Sequence, residues 1–317
     1  MEDFLINVPE SAHRGFLDRE TVVAQIDRDL KPWCNLILDI TNYGSNLIPR
    51  CFVSSPRGLK DAIVLAVLLR QVVATLDGIH VLLSSGACFV AQLPARALFE
   101  SSAYIHWILL ADSDKRSLYY YVHNLRRKRL WAKRMQAGSP ESAEFLASIE
   151  KSGLPITDEM ANQAKEQVQE LDELLSKPPF ANVSADFDRV RGRRKYDPAW
   201  YVPLGPRNLG EIAEDVNRRS QHAILYSVGS QVMHASSYEG HIAIGKGNIT
   251  FQPVRSLQGF DAVLRPSLTD ALATYRRVLE AYRPEELLAF RRKYTEKWQR
   301  LFLSVPTIKA QVEPISI

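Results

Sequence analysis

The chain has 317 residues, 46% of them hydrophobic and 24% charged, enough for one large or two modest cores. That excludes a disordered, collagenous or small disulfide-stapled protein. Forty basic against 36 acidic residues leave a formal charge of +4, too small as a total to argue for nucleic acid or an anionic membrane.

Met1 to Glu10 carries Glu2, Asp3 and Glu10 and lacks the basic start and apolar run of a signal peptide. Thr21 to Ile48 reads as helix, broken or restarted at Pro32, with apolar residues at three- and four-residue steps and a stop at Pro49. A second helix, from about Gly58 to Leu83, is apolar nearly all round, as a central core element is. Arg70, Gln71, Asp77 and His80 interrupt it, so it reads as a buried helix and no membrane partner is expected. A third helix covers Phe89 to Ala111 or begins at Pro94, and a fourth runs from the Asp112-Ser113-Asp114 cap to about Gln136.

Pro140 to Leu175 reads as two polar, Glu-rich helices, and Lys177 to Gly210 as an ordered loop if Tyr196, Trp200 and Tyr201 pack on the body. Helical period returns from Glu211 to Met233. His241 to Val254 alternates around Gly245-Lys246-Gly247-Asn248, a hairpin signal. Two helices close the chain, Leu268 to Tyr282 and Pro284 to Leu303. The expected fold is all-α: a multi-helix bundle with a small β-hairpin near residues 241–254. It forms a single domain over 1–317 with a polar helical and loop insertion at about 139–210. Cys34, Cys51 and Cys88 are widely spaced among apolar neighbours without zinc-type pairing, which suits buried thiols in a reducing cytoplasm.

The small net charge conceals segregation. Lys115 to Pro140 holds eight basic residues and no acid, and Glu141 to Asp188 holds eleven acids against three lysines. Two readings stand. The basic helix packs on the acidic pair as a solvated arrangement. Otherwise Arg126, Arg127, Lys128, Arg129, Lys133 and Arg134 form a nucleic-acid-binding face, with Tyr119, Tyr120, Tyr121 and Trp131 available to stack on unpaired bases.

A phosphate-binding P-loop, a GxGxxG unit, H-E-x-x-H, G-x-S-x-G and EF-hand spacing are all absent, so no cofactor or metal is expected. Two constellations remain. Arg96 and Glu100 lie four apart on one helical face with apolar flanks, where a charge-assisted pair can form. Tyr226, Ser230 and His234 are also spaced by fours, with Ser236 beyond and His222 one turn before. A histidine there can move protons near neutrality while hydroxyls orient it. Each set has a purely structural alternative, a buried ion pair or a hydrogen-bonded core histidine.

R-x-x-x-E on an early apolar helix followed by Y-x-x-x-S-x-x-x-H-x-S resembles a family of mostly bacterial helical proteins catalogued as a domain of unknown function. The resemblance spans roughly Asp61 to Ser237, plus the closing helix, and marks Arg96, Glu100, Tyr226, Ser230, His234 and Ser236 as the site. A second resemblance is to the HEPN helical bundles, many of them metal-independent ribonucleases of toxin and phage-defence systems. Their arginine-to-histidine motif is matched by Arg116 and His123, with six residues between, as an alternative catalytic pair. Together these lead to the expectation of a metal-independent RNA-cleaving or otherwise nucleic-acid-directed effector. The competing expectation is a non-enzymatic sensor or adaptor that binds a small ligand, a protein partner or a second copy of itself.

Overall fold

Asp18 starts the first helix of the described residues: its carboxylate accepts the Thr21 backbone N–H at 3.1 Å, satisfying one of the amide donors that a helix N-terminus leaves free. In the computed structural model, which describes residues 17–52, 59–136, 138–153, 157–236, 241–245, 248–308 and 315–316, this helix α1 spans Arg19–Asp29. Helix α2, Lys31–Phe52, follows at once, with Pro32 in its first turn, where a proline removes no helical hydrogen bond. Pro49 was expected to end α2 but lies inside it; buried Cys51 and Phe52 hold the last turn against the core. The Gly245-Lys246-Gly247-Asn248 turn centre falls partly outside the described residues.

The described chain is an all-α bundle in two compact units, one of Met1–Leu110 and Ile212–Ile317, the other of Ala111–Glu211. The inserted unit is therefore wider than 139–210, because the basic helix packs with its own downstream neighbours. In the first unit, α3, Leu59–Ser84, lies between α2 and α4, Gln92–Ile108. Leu65, Leu69, Val72, Leu76 and Ile79 of α3 are fully buried. Among the described residues α3 alone is long and apolar enough to cross a membrane, and half of that stretch is buried against the rest of the chain.

Two short strands, β1 (Ile242–Gly245) and β2 (Asn248–Phe251), pair antiparallel with Ile242 opposite Phe251, and Ile315 of β3 (Ile315–Ser316) lies opposite Phe251. The long helix near the C-terminus, Phe260–Tyr282, starts eight residues before the expected Leu268 and carries Pro266 within it. It packs on α4 and α2, and the crossing at Gly44 is close: a Cβ there would lie 2.1 Å from the Tyr275 hydroxyl. The final segment is Leu287–Lys293, a π-helical turn Tyr294–Trp298 and Gln299–Leu303. It is fastened to α2 by Trp298 Nε1 donating to Asp39 at 2.6 Å and Trp33 Nε1 donating to the Leu301 carbonyl at 3.0 Å.

In the second unit, α5 (Ser113–Met135) packs on α6 (Ser142–Lys151), α7 (Asp158–Ser176) and α8 (Pro178–Arg191). The expected loop from Lys177 thus begins as a helix, since Pro178 and Pro179 fall in the first turn, where proline is favoured. Trp200 and Tyr201 are buried and Tyr196 is exposed.

Candidate functional site

The continuous helix expected over Glu211 to Met233 is broken. Helix α9, Leu209–Asp215, ends before Asn217, whose φ of 57° turns the chain. A short stretch, Arg219–Gln221, then passes through a π-helical turn, His222–Tyr226, into α10, Ser227–Met233. Such turns are rare and concentrate at functional sites. Gly229 of α10 lies against α4: an added Cβ would sit 2.6 Å from Arg96 Cβ and 2.8 Å from the Gln92 carbonyl. Only glycine allows the two helices this close.

The crossing brings Arg96 to Tyr226. Arg96 Nη2 donates to the Tyr226 hydroxyl at 2.8 Å, Nη1 approaches Met233 Sδ at 2.8 Å, and the guanidinium carbon lies 4.2 Å from the Tyr226 ring centroid. His222 stacks on the same ring at 4.8 Å and 14°, and burial lowers its pKa. Arg96 forms no ion pair among the described residues, and its Nε is buried without a hydrogen-bond partner. The expected Arg96–Glu100 pair is not formed, because Glu100 instead accepts from the Tyr104 hydroxyl at 2.7 Å. Beside Arg96 is a cleft of about 100 Å³, lined by Gln92, Ala95, Ile224, Val228, Gly229 and Val263.

The remaining site candidates are more dispersed. Ser230 is half-buried and its carbonyl accepts the His234 backbone N–H at 3.0 Å; His234 is the C-cap of α10 and exposed. Ser236 is exposed and donates to the Gln231 carbonyl at 3.2 Å. Of the alternative pair, Arg116 is half-buried on α5, and His123 is held against Phe187 at 5.6 Å. Burial, reinforced by Arg127, pushes the His123 pKa down to about 4, so its imidazole is neutral near pH 7 and only a weak base. Among the described residues no three His, Cys, Asp or Glu side chains gather closely enough to hold a metal ion.

A buried polar network escaped the sequence reading. Arg218, with 8% of its side chain exposed, pairs with Asp270, 1% exposed, and donates to Ser102 at 2.7 Å. Ser102 shares a hydrogen bond with Thr274 at 2.6 Å. Burial raises the Asp270 pKa to about 6 against the pull of Arg218, and burial pushes His106 down to about 3, with Arg218 and Arg277 adding to it. The sequence signal was weak, an aspartate flanked by apolar positions, and 52 positions separate it from its partner.

Two arginines of the basic helix are paired with acids of its neighbours. Arg126 makes a bidentate pair with Asp197 at 2.7 and 3.0 Å and reaches Asp188 at 2.8 Å, and Arg129 pairs with Asp172. Tyr119 is buried and donates to Asp186, and Tyr120 packs on Trp200 at 5.3 Å. Four of the residues expected on a nucleic-acid face are thus held in intramolecular contacts, because the adjacent acidic helices fold back on α5. Arg127 and Lys128 remain exposed. Arg134 lies between two exposed rings, 4.5 Å from Trp131 and 5.5 Å from Tyr196.

No curated protein and no solved structure matches the chain at a significant level. The HEPN resemblance has no counterpart among the matches. A model described as a family of unknown function, DUF5677, matches residues 62–246, which include Arg96, Glu100, Tyr226, Ser230, His234 and Ser236. That span is more than half of the sequence, and the chain belongs to this family of unknown function.

Proposed function

We propose that the chain is a cytoplasmic, nucleic-acid-directed effector of the bacterial toxin or defence kind, which cleaves RNA without a metal at the Arg96–Tyr226 site. The observation that carries this reading is the state of Arg96. Arg218 and Arg126 are matched to carboxylates, Asp270 and Asp197, whereas Arg96 is held by a phenol and a thioether. A half-buried cation oriented by neutral groups keeps its charge for an anionic ligand, and a phosphodiester is such a ligand.

Cleavage needs a base for the 2′-hydroxyl, a cation for the phosphorane and an acid for the leaving oxygen. His234, exposed at the end of α10, is the base, and Arg96 is the cation. Tyr226 accepts from Arg96, so its own proton is free to pass to the 5′-oxygen. Three buried free cysteines are consistent with a reducing compartment.

Incubating the full chain with a labelled RNA oligonucleotide tests this. A 2′,3′-cyclic phosphate product is expected, with His234→Ala lowering the rate roughly 100-fold or more. Arg96→Lys, which keeps the charge but not the planar fork, should lose a comparable factor while the melting temperature holds. Cleavage unaffected by Arg96→Ala would remove the reading. The apolar cleft at Gly229 favours a second reading, a non-enzymatic sensor for a small ligand with an apolar body and an anionic end. Calorimetric binding of such a ligand without RNA turnover would support it.

A further inference from the structure

Helix α3 buries one side and leaves the other uncovered. Along the outward side Ile63, Val67, Arg70, Ala74, Asp77 and Val81 are all exposed, at successive steps of four, three, four, three and four residues. Ile63 is 60% exposed, Val67 55% and Val81 57%. That spacing is the seam of a two-helix packing, repeated over nearly three heptads. A Cβ added at Gly78 would meet nothing within 4 Å, so space over this part of the helix is open.

The charges on the stripe decide what fits. Arg70 and Asp77 are two turns apart, about 10 Å along the axis, too far to pair with each other. Neither has an ion-pair partner among the described residues. A copy of the same helix laid parallel would set Arg70 against Arg70 and Asp77 against Asp77. Laid antiparallel about a two-fold axis near Ala74, it sets each Arg70 opposite the other copy's Asp77 and each Val67 opposite the other's Val81. An isologous interface requires this reciprocity. Small residues at Ala74 and Gly78 let the backbones approach at the axis. A bilayer fits less well, because Arg70, Gln71 and Asp77 lie in the middle of the exposed stripe, where lipid would desolvate them without partners.

We propose that the outward face of α3 docks a second copy of the chain, antiparallel, with reciprocal Arg70–Asp77 pairs flanking a seam of Ile63, Val67, Ala74 and Val81. This does not depend on the RNA-cleaving reading.

Sedimentation of the full chain at roughly 10–100 µM should show a dimer. Arg70→Asp and Asp77→Arg should each weaken self-association about tenfold or more by setting like charges opposite, and the double exchange should restore it. Mild oxidation of Ala74→Cys should give a covalent dimer, since the axis brings the two copies of position 74 within disulfide reach. Ile63→Cys should not link to itself, its copies lying about 30 Å apart along the antiparallel pair. Cys34, Cys51 and Cys88 are buried, which keeps them out of this reaction. A monomer at these concentrations overturns the proposal. So does a dimer indifferent to the charge exchanges and to Ala74→Cys, or co-flotation with vesicles of phosphatidylcholine and phosphatidylglycerol. If a charge variant fails to fold, by circular dichroism, the Ala74→Cys linkage decides.

Discussion

Arg96 and Arg126 show how the same side chain serves two ends. Arg126, 12% exposed, answers two carboxylates and a carbonyl within its own unit, so its charge is spent on holding α5 to α8 and the following segment. Removing it leaves Asp197, which is 14% exposed, with only the longer 3.6 Å pair to Arg191, which also holds Asp188. Arg126→Ala should therefore cost about 1–3 kcal/mol in urea denaturation, whereas Arg127→Ala, on the exposed side, should stay within about 0.5 kcal/mol. A loss of nucleic-acid affinity with no loss of stability in Arg126→Ala would reverse this assignment. Arg96 has no carboxylate to strand, so its replacement should leave stability nearly unchanged and act on ligand or substrate. The four-residue spacing to Glu100 was legible in the sequence but did not decide the partner. An exposed pair at that spacing is worth only about 0.3–0.5 kcal/mol, less than the hydrogen bonds each side chain finds elsewhere.

At the level of elements, the site depends on how α10 crosses α4. Spacing by fours places Tyr226, Ser230 and His234 on one stripe of a regular helix, but the π-helical turn ends at Tyr226 and aims its ring at Arg96 rather than along the stripe. Ser230 is left half-buried and His234 exposed. Gly229 sets the separation of the two helices. Gly229→Ala must move either Arg96 or the Gln92 carbonyl, and overpacking of this kind costs about 1–3 kcal/mol. Thermal denaturation should show that loss, and the variant should lose the proposed RNA cleavage beyond it, because Arg96 is displaced. A variant as stable and active as the parent would mean that the helices can separate freely. Neither the glycine contact nor the π-helical turn has a signature in residue periodicity, since both arise from packing between segments more than 100 positions apart.

For the whole molecule, the buried ionisable groups set the response to acid. His106 titrates at about 3 and His123 at about 4 in the folded chain, against an ordinary 6.5 when unfolded. The unfolded chain therefore binds more protons between those values, and stability falls as pH drops from about 6.5 towards 4. Asp270, raised from 3.8 to about 6, has the opposite sign, losing stability as pH rises through the same window. With each pKa unit worth about 1.4 kcal/mol, the two histidine depressions outweigh the single aspartate elevation. Urea denaturation at pH 7 and pH 4.5 should show a net loss of several kcal/mol in acid, and His106→Leu should reduce it. Equal stability at the two pH values would mean that water reaches these histidines.

The sequence by itself determined the all-α character, the centrality of α3 and a resemblance to a family of unknown function, because apolar periodicity and short spacings are local properties of the chain. It also showed that opposite charges occupy adjacent blocks. Only the tertiary structure decided that Arg126 and Arg129 are consumed by those acids, that Arg96 meets Tyr226 instead of Glu100, and that Arg218 meets Asp270. Each of these is a choice among partners of similar intrinsic strength, and burial together with helix crossing, neither of which is written locally, selects between them.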